Sequence, residues 1–122
     1  MSASALLVRV NADLQFAQLV ADQLSEWAPI RPRRMFGGVG LFREGRMFAL
    51  VYDGALYFKC NAQNAAAFDA VQAPAFCYHR QGRTIALSYR QAPEAAIDDA
   101  DDLRGWADHA WRAALSKSHD TN

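Results

Sequence analysis

The stretch MFGGVGLFREGRMFALVYDGALYFKC, residues 35–60, decides the fold. It holds three apolar runs, Met35 to Phe42, Arg46 to Tyr52 and Ala55 to Cys60, divided by Glu44-Gly45 and Asp53-Gly54. Both residues of an Asp-Gly step can take positive φ, which suits a two-residue turn between right-twisted strands. The spacing therefore predicts a three-stranded antiparallel meander. Within its first strand, Gly37, Gly38 and Gly40 raise the question of a phosphate-binding loop. A dinucleotide fingerprint needs a third glycine where Arg43 stands and a helix after it, and a Walker loop needs a Gly-Lys-Ser/Thr ending. Both patterns fail. Glycines in a strand instead mark a bend or a place where a ring or another backbone lies close. Flanked by Phe36 and Phe42, they predict a bent first strand.

Upstream of the meander, Phe16, Leu19, Val20, Leu24 and Trp27 recur at steps suited to an amphipathic helix. Asn11 or Asp13 caps its start, and Pro29 with Pro32 stops it. Downstream, Asn61 caps a short alanine-rich helix over Ala62 to Val71. Phe76 to His79 and Thr84 to Tyr89 then alternate as a second hairpin around Gln81-Gly82, with Phe76, Tyr78, Ile85, Leu87 and Tyr89 inward. Beyond Pro93, Asp99 or Asp101 opens a last helix whose stripe is Leu103, Trp106, Ala107, Ala110, Trp111 and Leu115. Its acidic first turn and Lys117 near its end suit the helix dipole. The sum is α-β-β-β-α-β-β-α, a two-layer α+β sandwich with helices on one face of a five-stranded antiparallel sheet. Residues 1–10 read as an N-terminal extension, 11–117 as the domain and 118–122 as a disordered tail.

The 122 residues suffice for one domain with a real core, and the composition is that of a globular chain. No apolar run approaches the roughly 20 residues that cross a bilayer, and the N-terminus lacks a basic signal-like region. A cytoplasmic location without membrane attachment is the expectation. Cys60 and Cys77 show no CxxC spacing and read as buried free thiols. Cys77 and His79 share a strand face, but with Cys60 they make only three dispersed ligands, so neither metal nor cofactor is expected. No G-x-S-x-G elbow is present, Ser88 has no assigned base, and the C-terminal carboxylates read as helix caps. The chain is expected not to be an enzyme.

Thirteen basic residues balance thirteen acidic ones, so no general field draws the protein to nucleic acid. The distribution is uneven. Arg31, Arg33, Arg34, Arg43 and Arg46 crowd one segment, and Glu94, Asp98, Asp99, Asp101, Asp102 and Asp108 another. Arg31, Arg33 and Arg34 are the candidate contacts to a partner or anion, with plain solvation as the alternative reading. Met47 to Tyr52 is apolar on both strand faces, which predicts that something covers the outer face, most simply a second copy in a homodimer.

Two segments, RRMFGGVGLFREGRMFALVYDGALYFK (33–59) and GRTIALSYRQAPEAAIDDADDLRGWADHAW (82–111), carry a family resemblance. Its signature includes Met35, Phe36, Gly37, Gly38 and Gly40, the strands holding Phe48-Ala49 and Leu56-Tyr57-Phe58-Lys59, and Ser88-Tyr89 before Pro93-Glu94. The chain resembles the N-terminal domain of the TfoX/Sxy family of bacterial competence regulators, here standing alone. The resemblance implies a fold like that of type III secretion chaperones and a regulatory, non-catalytic role. It also implies a protein partner in the transcription machinery or the cyclic-AMP receptor protein, with direct nucleic-acid contact a weaker expectation. Two alternatives stand beside it: a small-molecule-binding or minor catalytic domain with a pocket near Phe36 to Gly40, and a chaperone-like, peptide-binding dimer.

Overall fold

A computed structural model describes residues 3–35 and 37–116, with the side chains of Ala3, Arg80 and Ile85 left aside. Phe36, Lys117, His119 and the tail expected over 118–122 lie outside the described residues. The chain runs α1 (Ala3–Gln23), β1 (Arg31–Met35), β2 (Gly38–Arg43), β3 (Arg46–Tyr52), β4 (Ala55–Lys59), α2 (Ala65–Ala70), β5 (Ala75–Arg80), β6 (Arg83–Gln91), α3 (Glu94–Ile97) and α4 (Ala100–Leu115). The strands form one antiparallel sheet in the order β1-β2-β3-β4-β6-β5, so the described residues hold six strands rather than five.

The extra strand comes from the first apolar run. Met35 pairs with Gly38, and Gly37 between them has φ +76°, so the chain reverses where a single bent strand was expected. The arginines and Pro32 before it thereby become edge strand β1. Three further reversals fall where the glycine steps placed them, at Glu44-Gly45, Asp53-Gly54 and Gln81-Gly82, each with both residues at positive φ.

α1 departs from its expected start. It begins at Ala3, and Asn11 and Asp13 lie inside it instead of capping it. Asp13 is 1% exposed, and its two carboxylate oxygens each accept a hydrogen bond of 2.8 Å, one from the Asp53 N–H and one from the Gly54 N–H. The buried stripe of α1 is Asp13, Ala17, Val20 and Ala21, continued by Leu24 just past its end, while Leu19 faces solvent. Small Ala17 and Ala21 let the helix lie close to the sheet, which turns the stripe away from the position that Leu19 alone would favour. The second helix is shorter than expected, Ala65–Ala70. Asn61 and Asn64 cross-link the preceding turn, Asn61 Oδ1 accepting from the N–H groups of Gln63 and Asn64, and Asn64 Oδ1 from that of Asn61. At α4 the expected cap is present: the Asp99 carboxylate accepts from the Asp101 and Asp102 N–H groups, both at 3.1 Å.

α1 and α4 cover one face of the sheet. Val20 of α1, Leu24 just after it, and Leu103, Ala107 and Trp111 of α4 bury Val39, Leu41, Phe48, Val51, Leu56 and Phe58, and Phe68 of α2 joins them. A bulge lets Phe48 join Ala49 in this core: Leu41 pairs with Ala49 and Phe42 with Met47, leaving Phe48 as the additional residue. Its ring meets Trp27 at 5.6 Å, Phe58 at 6.4 Å and Trp111 at 6.4 Å.

The outer face carries a second apolar cluster built on Leu50, Phe76 and Tyr89, with Met47, Tyr52, Tyr57, Tyr78 and Leu87 around it. Phe76 of edge strand β5 meets Tyr52 of β3 at 5.2 Å and Tyr57 of β4 at 5.0 Å, and the Tyr89 hydroxyl donates to the Met47 carbonyl at 3.4 Å. These contacts reach across intervening strands, so the sheet curls over its own outer side. Leu50 is 0% exposed there, and the two-sided apolarity of β3 is accounted for within one chain. Burial raises the Tyr89 hydroxyl pKa and keeps it protonated as a donor.

Two glycines admit close packing at the β2 side of this face. A Cβ on Gly38 would clash with the Val51 carbonyl oxygen, and one on Gly40 would come within 2.7 Å of Met47 Sδ and 2.9 Å of Met35 Sδ. The first obstacle is backbone and the second is the mobile end of two methionines. Gly38→Ala is therefore expected to cost about 3 kcal/mol of stability and Gly40→Ala about 1 kcal/mol, read from urea unfolding midpoints. In the same assay Asp13→Ala should cost about 2 kcal/mol, since it removes the buried carboxyl group that accepts from two part-buried backbone N–H groups. Equal stability of Asp13→Ala and the parent chain would show that the carboxylate does not anchor α1.

Candidate functional site: an arginine and tryptophan cleft at the sheet edge

The connection from α1 to β1 is short and stiff. Trp27 and Ala28 close the helix by donating to the Leu24 carbonyl at 2.9 and 3.0 Å, and Pro29 and Pro32 then hold the chain extended into β1. In β1 the side chains alternate. Arg31 and Arg33 stand opposite Phe42 and Gly40, on the outer side, whereas Arg34 stands opposite Val39 on the helix side. There Arg34 Nη2 donates to Asn11 Oδ1 at 3.4 Å. The three arginines grouped in the sequence are thus divided, two toward an open cleft and one toward α1.

The cleft has a volume of about 590 Å³ and is lined by Trp27, Ala28, Pro29, Arg31, Arg33, Phe42, Arg43, Glu44 and Gly45. Arg43, from the end of β2, is its fixed cation. Its guanidinium carbon lies 4.5 Å from the centre of the Trp27 ring and 4.7 Å from that of Trp111, held between two aromatic faces. Arg43 Nε is buried without a hydrogen-bond partner, and the nearest carboxylate oxygen, from Glu44, is 3.6 Å away. Arg33 lies over the Phe42 ring at 5.1 Å. Among the described residues, neither Arg31 nor Arg33 pairs with a carboxylate.

Sequence reading placed Arg43 in the basic segment but did not join it to Trp27, Phe42 or Trp111. The only signal was Arg43 beside the Glu44-Gly45 turn, and pairing it with two tryptophans requires the packing of α1 and α4 on β2 and β3. The glycine stretch does not supply the cleft. Arg9 Nη2 donates to the Gly37 carbonyl at 3.1 Å and its guanidinium lies 4.8 Å from the Tyr52 ring centre, while Met35, Met47 and Tyr52 fill the space over Gly38 and Gly40. The cleft lies at the other end of β2. The signature residues Met35, Gly37, Gly38 and Gly40 thus shape the hairpin and the outer core.

The other polar candidates have local partners. The Thr84 hydroxyl and His79 Nδ1 share a hydrogen bond of 2.9 Å. Cys60 is half-buried and Cys77 exposed, so burial of both thiols does not hold; β5 is an edge strand, and its alternation turns Cys77 outward while Phe76 enters the outer core. Arg90 donates Nη2 and Nε to the Ala73 carbonyl at 2.8 and 3.1 Å and Nη1 to Asp69, tying α2 to β6. The hydrogen bond to Asp69 raises the Arg90 pKa further. The acidic face of α4 is partly paired, Asp101 with Arg104 at 2.7 Å and Asp108 with Arg112 at 3.0 Å.

The fold and the cleft define an α+β domain whose curled antiparallel sheet carries helices on one face and a rim of arginines and aromatic rings at one edge. This chain belongs to the TfoX N-terminal domain family, whose model matches residues 22–114. It is also similar to the DNA transformation protein TfoX1 of Aliivibrio fischeri (strain ATCC 700601 / ES114), with 37% identity over 62 residues. That match covers 51% of this chain and 30% of the relative, so the chain spans less than a third of the curated protein it matches. Among the described residues, no helix is long and apolar enough to cross a membrane.

The Arg43 clamp yields a direct test. Arg43→Ala should lower stability by about 2 kcal/mol and move tryptophan emission to longer wavelength, as two rings lose their cation and gain water. Arg43→Met keeps an unbranched stem without the charge. It should recover only part of the loss, and full recovery would assign the clamp to packing alone.

Proposed function

We propose that this chain is a regulatory or adaptor domain that acts by protein contact in the control of DNA-transformation competence. Membership of the TfoX N-terminal domain family carries the reading, together with the similarity to a DNA transformation protein. The composition of the cleft supports contact rather than catalysis. Guanidinium groups stay protonated under all ordinary conditions, and indole and phenyl rings offer faces for stacking, so the set binds and orients but does not shuttle protons. The contact surface is the rim formed by Arg31 and Arg33, with Arg34 bracing β1 against α1.

The partner this surface suits is a protein presenting carboxylates. The family resemblance makes the cyclic-AMP receptor protein and the transcription machinery the first to test. Direct recognition of DNA has less support, because the chain is neutral overall. The test is the binding of the purified domain to the immobilised receptor protein, with and without competence-promoter DNA. Saturable binding is expected, with Arg31→Ala plus Arg33→Ala weakening it about tenfold and Arg104→Ala leaving it unchanged. If the double variant binds as the parent does, the rim is not the contact. If neither protein nor promoter complex retains the domain, the regulatory reading by this route is lost.

A further inference from the structure

We infer that the cleft between the α1–β1 connection and the β2–β3 turn binds a small organic anion, a flat apolar body carrying a phosphate or carboxylate. Three observations converge. The first is size: about 590 Å³ lies within the range of roughly 300 to 1,000 Å³ that holds small ligands. The second is chemistry. Trp27, Pro29 and Phe42 supply an apolar lining, and three guanidinium groups face a single carboxylate, Glu44. The third is preparation: Arg43 is clamped between two rings, with Glu44 3.6 Å from its Nε, beyond hydrogen-bond reach, so little conformational freedom remains to be lost on binding.

The bland account of these arginines is protection of a sheet edge. It covers Arg31, Pro32 and Arg33, because charge and proline on an edge strand discourage pairing with another chain. It does not cover Arg43, which lies on β2, inside the sheet. Its side chain is still 22% exposed where it lines the cleft, and the carboxylate beside it, Glu44, lies too far from Nε for a hydrogen bond. The same blunted edge disfavours an extended peptide laid along β1, and the neutral chain disfavours a nucleic-acid strand. A compact anion that enters the cleft from solvent meets neither obstacle. It would also occupy Arg31 and Arg33, which places it in competition with the partner contact proposed above, although the inference stands on the cleft and not on that contact.

The test is calorimetric titration of the full chain with 1-naphthyl phosphate and 1-naphthylacetate, against inorganic phosphate and 1-naphthol as the separate fragments. One saturable site is expected, with at least one naphthyl anion binding about tenfold more tightly than either fragment; the tighter of the two identifies phosphate or carboxylate as the preferred group. Arg33→Ala should weaken it about tenfold and Arg104→Ala should not change it. Arg33 is exposed, so its truncation leaves the core in place. Parent-like binding by Arg33→Ala, or fragments that bind as well as the joined anions, would overturn the proposal. So would a Glu-Trp-Glu peptide that binds more tightly than both naphthyl anions, which would assign the cleft to a protein segment. Loss of receptor-protein binding with anion binding intact would remove only the regulatory reading, and the reverse result only this one.

Discussion

The carboxylate of Asp13 joins the two layers of the structure at a single point. It sits on the buried stripe of α1 and accepts from two successive backbone N–H groups in the Asp53-Gly54 turn. A buried carboxylate without such donors would be strongly unfavourable, so the helix has one rotation and one axial position that satisfy it. That position places Ala17, Val20 and Leu24 on the sheet and delivers Trp27 to Phe48 and Arg43. The orientation of the cleft therefore follows from a hydrogen-bonding requirement about three helical turns before the end of α1.

The sheet meets a different constraint. Helices cover one of its faces, yet β3 has apolar side chains for both. The strands resolve this by curling until Phe76 of the β5 edge reaches Tyr52 and Tyr57, forming a small aromatic core without a third layer. Gly38 and Gly40 admit the close approach on the β2 side, and the bulge at Phe48 sends that ring to the helices. The glycines are structural here because backbone and sulfur atoms occupy the places where their side chains would stand.

At the β1 edge, stability and recognition draw on the same residues. Pro32 and the alternating arginines blunt an unpaired strand, and the same alternation sends Arg31 and Arg33 to the cleft while Arg34 braces the helix side. Arg43 adds a cation whose position is set by Trp27 and Trp111, residues from opposite ends of the chain. Such a group has little rotamer freedom left to lose, which distinguishes it from the solvated arginines of an ordinary surface.

Much of this was legible in the sequence, and the reason is local. A polar residue followed by glycine between two apolar runs readily takes positive φ at both positions, so the turns at Glu44-Gly45, Asp53-Gly54 and Gln81-Gly82 were legible locally, as was the Asp99 cap of α4. The family was readable for the same reason, since its signature lies in two unbroken segments of the chain, 33–59 and 82–111. Tertiary structure alone decided the rest. A glycine run looks alike in a bent strand and in a hairpin, and only pairing of Met35 with Gly38 made β1 a separate strand. Asp13 resembles a helix cap until the turn that claims its carboxylate comes into place. The cleft was hidden because Trp27, Arg43 and Trp111 are far apart along the chain, and only the docking of α1 and α4 on the sheet brings two rings to one guanidinium.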